Sequence, residues 1–175
     1  SEWRVLSTDY VVYSVINTKY TESFDDTATN ETTTVDMNAH LFLRITTGKS
    51  PILHENYGMY WYDNNIKEIF RKYVKDFASR YDMITLVSQR EIYDEIEPII
   101  EQQMIDHINR LSKTKELPIE VVDVIVDKAM PNEGVREELN NTAIYMQQRN
   151  TQVMKQEMEI ARRETERLRA LADKE

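Results

Sequence analysis

Between residues 35 and 45 the chain alternates. Val35, Met37, Ala39, Leu41, Leu43 and Ile45 are apolar, and Asp36, Asn38, His40 and Arg44 fall between them. Period-two spacing over this length predicts a β-strand with one face in a core and one toward water. Phe42 interrupts the polar set, which predicts partial cover on the wetter face. Upstream, residues 10–16 (YVVYSVI) are rich in β-branched and aromatic side chains and read as a strand apolar on both faces. Residues 17–34 are polar, the composition of a loop or an irregular hairpin.

The period then changes. Ile66, Ile69, Phe70, Tyr73, Val74 and Phe77 recur at three and four residues, which predicts a helix over 64–81 with Asp63 or Asn64 as its N-cap. A second helix is predicted over 90–111 from Ile92, Ile96, Ile99 or Ile100, Gln103 or Met104, Ile108 and Leu111. Ser88 and Glu91 have the spacing of a capping box ahead of it. Pro98 inside this stretch removes a backbone donor and predicts a kink or a fresh start. Residues 117–129 (LPIEVVDVIVDKA) read as another strand, and residues 131–134 (PNEG) punctuate its end.

Residues 135–175 differ in kind. They hold no Pro or Gly and are dominated by Glu, Arg, Gln, Met and Ala. A helix of that size is about 60 Å long, too long to fold back within so small a domain. Leu139, Ala143, Met146, Val153 and Ile160 trace a heptad seam; beyond it Ala161, Leu168 and Ala172 fit an eleven-residue spacing better. Arg149, Asn150, Glu157 and Glu164 lie close to the seam and thin it. A seam this thin makes sense if many copies stack side by side. The pattern therefore predicts two parts: a compact α/β domain over 1–131, and the start of a C-terminal coiled-coil helix over 132–175. The fold class is α+β, a small mixed or antiparallel sheet with packed helices.

Composition narrows the function. A net charge of −9 is the wrong sign for nucleic-acid binding and gives no attraction to an anionic membrane surface. The absence of Cys excludes disulfides, thiolate metal sites and Cys nucleophiles. No apolar run reaches the ~18 residues that a membrane-spanning helix needs. The opening at Ser1 and the end inside a helical pattern read as a piece cut from a longer protein.

Candidate chemistry is sparse. His40, His54 and His107 share no metal or protease spacing. Gly48-Lys49-Ser50 lacks the upstream glycine of a phosphate-binding loop. The carboxylates sit on helices, where partners such as Glu159 and Arg163 make a solvated face. Tyr57, Tyr60, Trp61 and Tyr62 read as a packing plug, with an interface patch as the rival reading. No catalytic residue, cofactor site or metal site is expected.

The order of these elements, and several short motifs, resemble the SPFH, or Band 7 (prohibitin-homology), domain family of prohibitins, stomatins and flotillins. Residues 35–45 (VDMNAHLFLRI) resemble the family's alternating strand with its aromatic-Arg-aliphatic end. Residues 84–92 (ITLVSQREI) are similar to its "L-x-x-x-R-E-x-I" joint. Residues 119–124 (IEVVDV) resemble the strand that precedes its Pro, here Pro131, and the Gln/Glu/Arg/Ala helix resembles its arm. Leu117-Pro118 stands where the family usually has Gly.

The resemblance implies a non-enzymatic, membrane-associated oligomeric scaffold. It would organise membrane microdomains or regulate partners such as a membrane protease. Its anchor would lie upstream of Ser1, and residues 1–175 would be soluble by themselves. Leu139, Ala143, Met146, Val153, Ile160 and Leu168 are the expected self-association residues. The rival from another class is a soluble coiled-coil adaptor that binds a peptide or protein.

Overall fold

The computed structural model describes residues 11–172, except the side chains of Leu139, Leu171 and Ala172. The chain divides into two compact units, Ser1–Asn132 and Glu133–Glu175.

The first unit is built on one strand. β1 (Thr18–Ala28) and β2 (Thr34–Ile45) form an antiparallel hairpin, and β3 (Ile119–Val126) and the short β4 (Met130–Pro131) both pair antiparallel with β2. The order is β1-β2-β3, with β4 also on β2. The alternation read from the sequence sets the faces. Val35, Met37, Ala39, Leu41, Leu43 and Ile45 are all buried, while Asn38 and Arg44 are exposed and His40 and Phe42 half-buried. Lys19 lies 6.0 Å from the Phe42 ring, which supplies the partial cover expected there.

The buried face is covered by α1 (Ser50–Tyr57), α2 (Trp61–Asn65), α3 (Lys67–Ala78), α4 (Met83–Ser88) and α5 (Glu91–Ser112). Phe70, Val74 and Phe77 of α3 and Ile92, Tyr93, Ile96, Ile100, Met104 and Ile108 of α5 join the same core as the β2 side chains. The periodic residues named from the sequence are thus the ones that pack. Pro98 sits inside a continuous α5.

Local capping departs from expectation. Asp82, not Ser88, caps the α4–α5 region: its carboxylate accepts from the Thr85 N–H at 2.7 Å. Ser88 spends its hydroxyl on the Ile84 carbonyl, and α5 begins at Arg90 without a side-chain cap. Neither Asp63 nor Asn64 caps α3, because a short helix, α2, already occupies them.

One other expectation is corrected: residues 11–16 form no strand, and Tyr10 lies outside the described residues. The polar stretch after them is the irregular hairpin rather than the loop of its two readings: it holds β1 and the turn into β2, with Thr, Lys, Ser and Asp at the outward positions. Its irregularity is real: the ladder shifts between Phe24 and Thr27, and Asp26 adopts φ 50° there, its N–H held by the Asp36 carboxylate at 2.9 Å. Asp tolerates this left-handed conformation better than most residues.

The free edge of β3 is closed by side chains. Glu97 on α5 accepts from the Val126 N–H at 2.9 Å, and Arg90 donates to the Val126 carbonyl at 3.3 Å and to Glu97 at 3.2 Å. Asp123 accepts from the Val124 N–H at 2.9 Å. An unpaired edge invites pairing with another chain, and these charged groups block it.

Leu41→Ala should lower unfolding free energy by about 2–5 kcal/mol in urea titration, the usual cost of a large-to-small core change. Phe42→Ala, on the opposite face, should cost less than half as much. Equal losses would mean that the register is wrong.

Candidate functional site

Polar clusters come first, because chemistry would need them. Glu22 is buried on β1. It accepts from the Tyr62 hydroxyl at 2.9 Å and from Arg71 at 2.9 Å, while Arg71 stacks over Phe24 at 4.5 Å and also donates to the Ser23 carbonyl. Every charge in this group is answered, so it is a tie between β1 and the helices. Burial, then the Glu22 hydrogen bond and charge, push the Tyr62 hydroxyl far above its ordinary value of 10.0. Tyr93 makes a second tie. Its hydroxyl donates to the Leu86 carbonyl at 2.6 Å and accepts from the Ala129 N–H at 2.9 Å.

All three His residues have partners. His40 lies between the Thr21 hydroxyl and the Asp127 carboxylate, 3.0 Å from each. His54 is 2.6 Å from the Tyr13 hydroxyl, and His107 is 2.8 Å from the Asn65 carbonyl. Thr21, His40 and Asp127 are the residue types of a nucleophilic triad, but they stand on the open outer face of the sheet. Among the described residues no three His, Cys, Asp or Glu side chains converge as metal ligands. Gly48-Lys49-Ser50 does lie between a strand and a helix, yet Lys49 is paired with Glu116 at 2.6 Å.

The aromatic cluster splits. Trp61 and Tyr62 are buried, with Tyr20 stacked on Tyr62 at 4.0 Å and edge-on to Trp61 at 5.8 Å. Tyr57 is half-buried and donates to the Lys115 carbonyl at 2.7 Å. These three are packing, as read from the sequence. Met59 and Tyr60 instead face outward, and Met59 shares a cavity of about 250 Å³ with Val11, Val12 and Trp61.

The second unit holds the expected association residues. α6 (Glu133–Ala172) is a single helix of 40 residues. Ala143, Met146, Val153, Ile160 and Leu168 all lie on it and are exposed, the last four at 45% to 64%. Leu139 is also in the helix, but its side chain lies outside what the structure describes. Heptad reading missed Ile144, Tyr145, Met154 and Met158, which are exposed as well. The four-residue step from Met154 to Met158 was the available signal. So much apolar surface on one helix costs solvation unless something covers it. No helix among the described residues is long and apolar enough to cross a membrane.

These features define a class: a two-layer α+β domain whose polar clusters are structural, carrying a long helix with exposed apolar side chains. A family model described as the SPFH domain / Band 7 family matches residues 2–167, so the chain belongs to that family. Its members are generally membrane-associated scaffolds and are known as non-enzymatic. No curated protein matches the chain.

Tyr62 predicts an alkaline limit. A raised hydroxyl pKa contributes stability that is whole below the ordinary value of 10.0 and is lost as pH climbs beyond it, because only the unfolded chain ionises freely. Urea midpoints should therefore fall as pH rises past that value, and Tyr62→Phe should make the fall shallower. An unchanged slope in the variant would refute the assignment.

Proposed function

We propose that this protein is an oligomeric scaffold that associates side by side through α6 and so organises a membrane region or confines a membrane partner such as a protease. The observation that carries this reading is the exposed apolar row Met146, Val153, Ile160 and Leu168 on a 40-residue helix, in a chain of a scaffold family. Burial of these side chains between copies returns about 25 cal/mol per Å² of apolar surface removed from water. One pair of arms gains little that way, and many copies gain in proportion. The arm sets the contact and the first unit sets the spacing. The anchor that brings such a scaffold to a bilayer is expected upstream of Ser1.

Light scattering on the full-length protein tests this. Met146→Asp with Val153→Asp should weaken assembly on the order of tenfold or more, since each carboxylate must be stripped of water at the contact. Unchanged particle size would sink the proposal. A lone two-chain species that ignores vesicles would favour a soluble adaptor instead.

A further inference from the structure

The sheet of the first unit has one blocked edge and one open edge. Along β3, Glu97, Arg90 and Asp123 occupy the backbone groups. The opposite edge is β1. The Asp127 N–H donates to the Asn38 carbonyl at 2.9 Å, so alternate residues of β2 starting at Asn38 bond toward β3. Ala39 and Leu41 then bond toward β1, where their partners are Glu22 and Tyr20. The main-chain groups of Lys19, Thr21 and Ser23 therefore point away from the sheet. Arg71 reaches the Ser23 carbonyl from that side at 3.0 Å. Among the described residues no hydrogen bond reaches the main chain of Lys19 or Thr21 there, and both residues are exposed.

Just ahead of this edge lies a run with the composition of a strand. All of residues 11–16 except Ser14 are β-branched or aromatic, yet they pair with no strand of the sheet. Val12 is 90% exposed and Ile16 72%. An open edge beside an unpaired strand-forming run lets one chain extend the sheet of another. A second copy carries both halves, so the contact can form twice about a two-fold axis.

Backbone parity and charge select that axis. The outward groups belong to odd-numbered residues, and a two-fold at an odd residue sets outward groups against outward groups. At Lys19 it would place two ammonium groups directly opposite each other, which acts against pairing. At Asn17 it places Val15 against Lys19 and Tyr13 against Thr21, and no like charges meet. We infer that β1 is a pairing edge for a second copy of this chain, with residues 11–15 of each protomer antiparallel to residues 19–23 of the other about Asn17. In the single chain Ile16 sits in a bend, and the Thr18 hydroxyl holds its carbonyl at 3.2 Å. Pairing straightens this bend, which makes the dimer weaker than one between ready-made strands. The contact joins first units and does not depend on the association of α6.

The test uses the full chain carrying Met146→Asp and Val153→Asp, so that contacts through α6 are weakened. Sedimentation equilibrium should still show a concentration-dependent dimer. Val15→Lys sets Lys opposite Lys19 twice per dimer and should weaken it about fivefold or more; adding Lys19→Glu should restore it. Both positions are exposed, and circular dichroism checks that the protomer is unchanged. The chain has no Cys, so Asn17→Cys supplies its only thiol. Opposed Cα atoms at such a position lie about 5.5 Å apart, within reach of a disulfide, so mild oxidation should cross-link two copies. Lys115→Cys, exposed in the loop before β3, should cross-link at least about tenfold more slowly. A monomer at every concentration reached would overturn the inference. So would a dimer that Val15→Lys leaves intact, a weakening that Lys19→Glu fails to reverse, or cross-linking at position 115 as fast as at position 17.

Discussion

Every ladder of hydrogen bonds in the sheet runs through β2, and β2 can be used in only one register. Its six alternate apolar residues are all buried, so a slip of one residue would turn them to water and bring Asp36, Asn38 and Arg44 into the core. β1, β3 and β4 take their positions from this strand, and α3 and α5 take theirs from its apolar face. The positions of the polar ties follow in turn. Glu22 can meet Tyr62 and Arg71 only because β1 is held where β2 places it.

The rest of the first unit manages what a small sheet leaves exposed. A sheet has two edges, and that of β3 is closed by Glu97, Arg90 and Asp123. Arg90 belongs to the Arg-Glu step between two helices, a motif that otherwise looks like a simple joint. Its guanidinium gives the motif a physical purpose, since one side chain binds both the helix carboxylate and the strand carbonyl. Tyr93 ties the same region from below, joining α4 to the segment that leads into β4. The three His residues and the buried carboxylate, which would be the first suspects for chemistry, are spent on such joints.

Function is left to what the fold does not bury. α6 keeps its apolar side chains exposed, and the family to which the chain belongs generally works as a membrane-associated scaffold. Surface of that kind is stable in water only at a cost, which a neighbouring helix would relieve.

Much of this was legible in the residues alone. Wherever one face is buried, burial imposes a period, so β2, α3, α5 and β3 could be read from spacing, while the 40-residue α6 was marked by its Gln/Glu/Arg/Ala composition and the lack of Pro or Gly after residue 134. The exposed apolar side chains Met146, Val153, Ile160 and Leu168 also stand at intervals that the sequence alone displays. Other features needed the tertiary structure. β1 has a polar outer face and is held by its pairing with β2, so its residues alone left a loop and a hairpin both open. The apolar run at 11–16 looks like a strand, but in the fold it pairs with none of the four strands. Ser88 and Glu91 had the spacing of a cap, yet Asp82 holds that role because α4 intervenes. Spacing along a chain reports which faces are dry; only the folded arrangement decides which polar groups meet, since their partners lie as many as 106 residues apart, as Asp26 and Asn132 do.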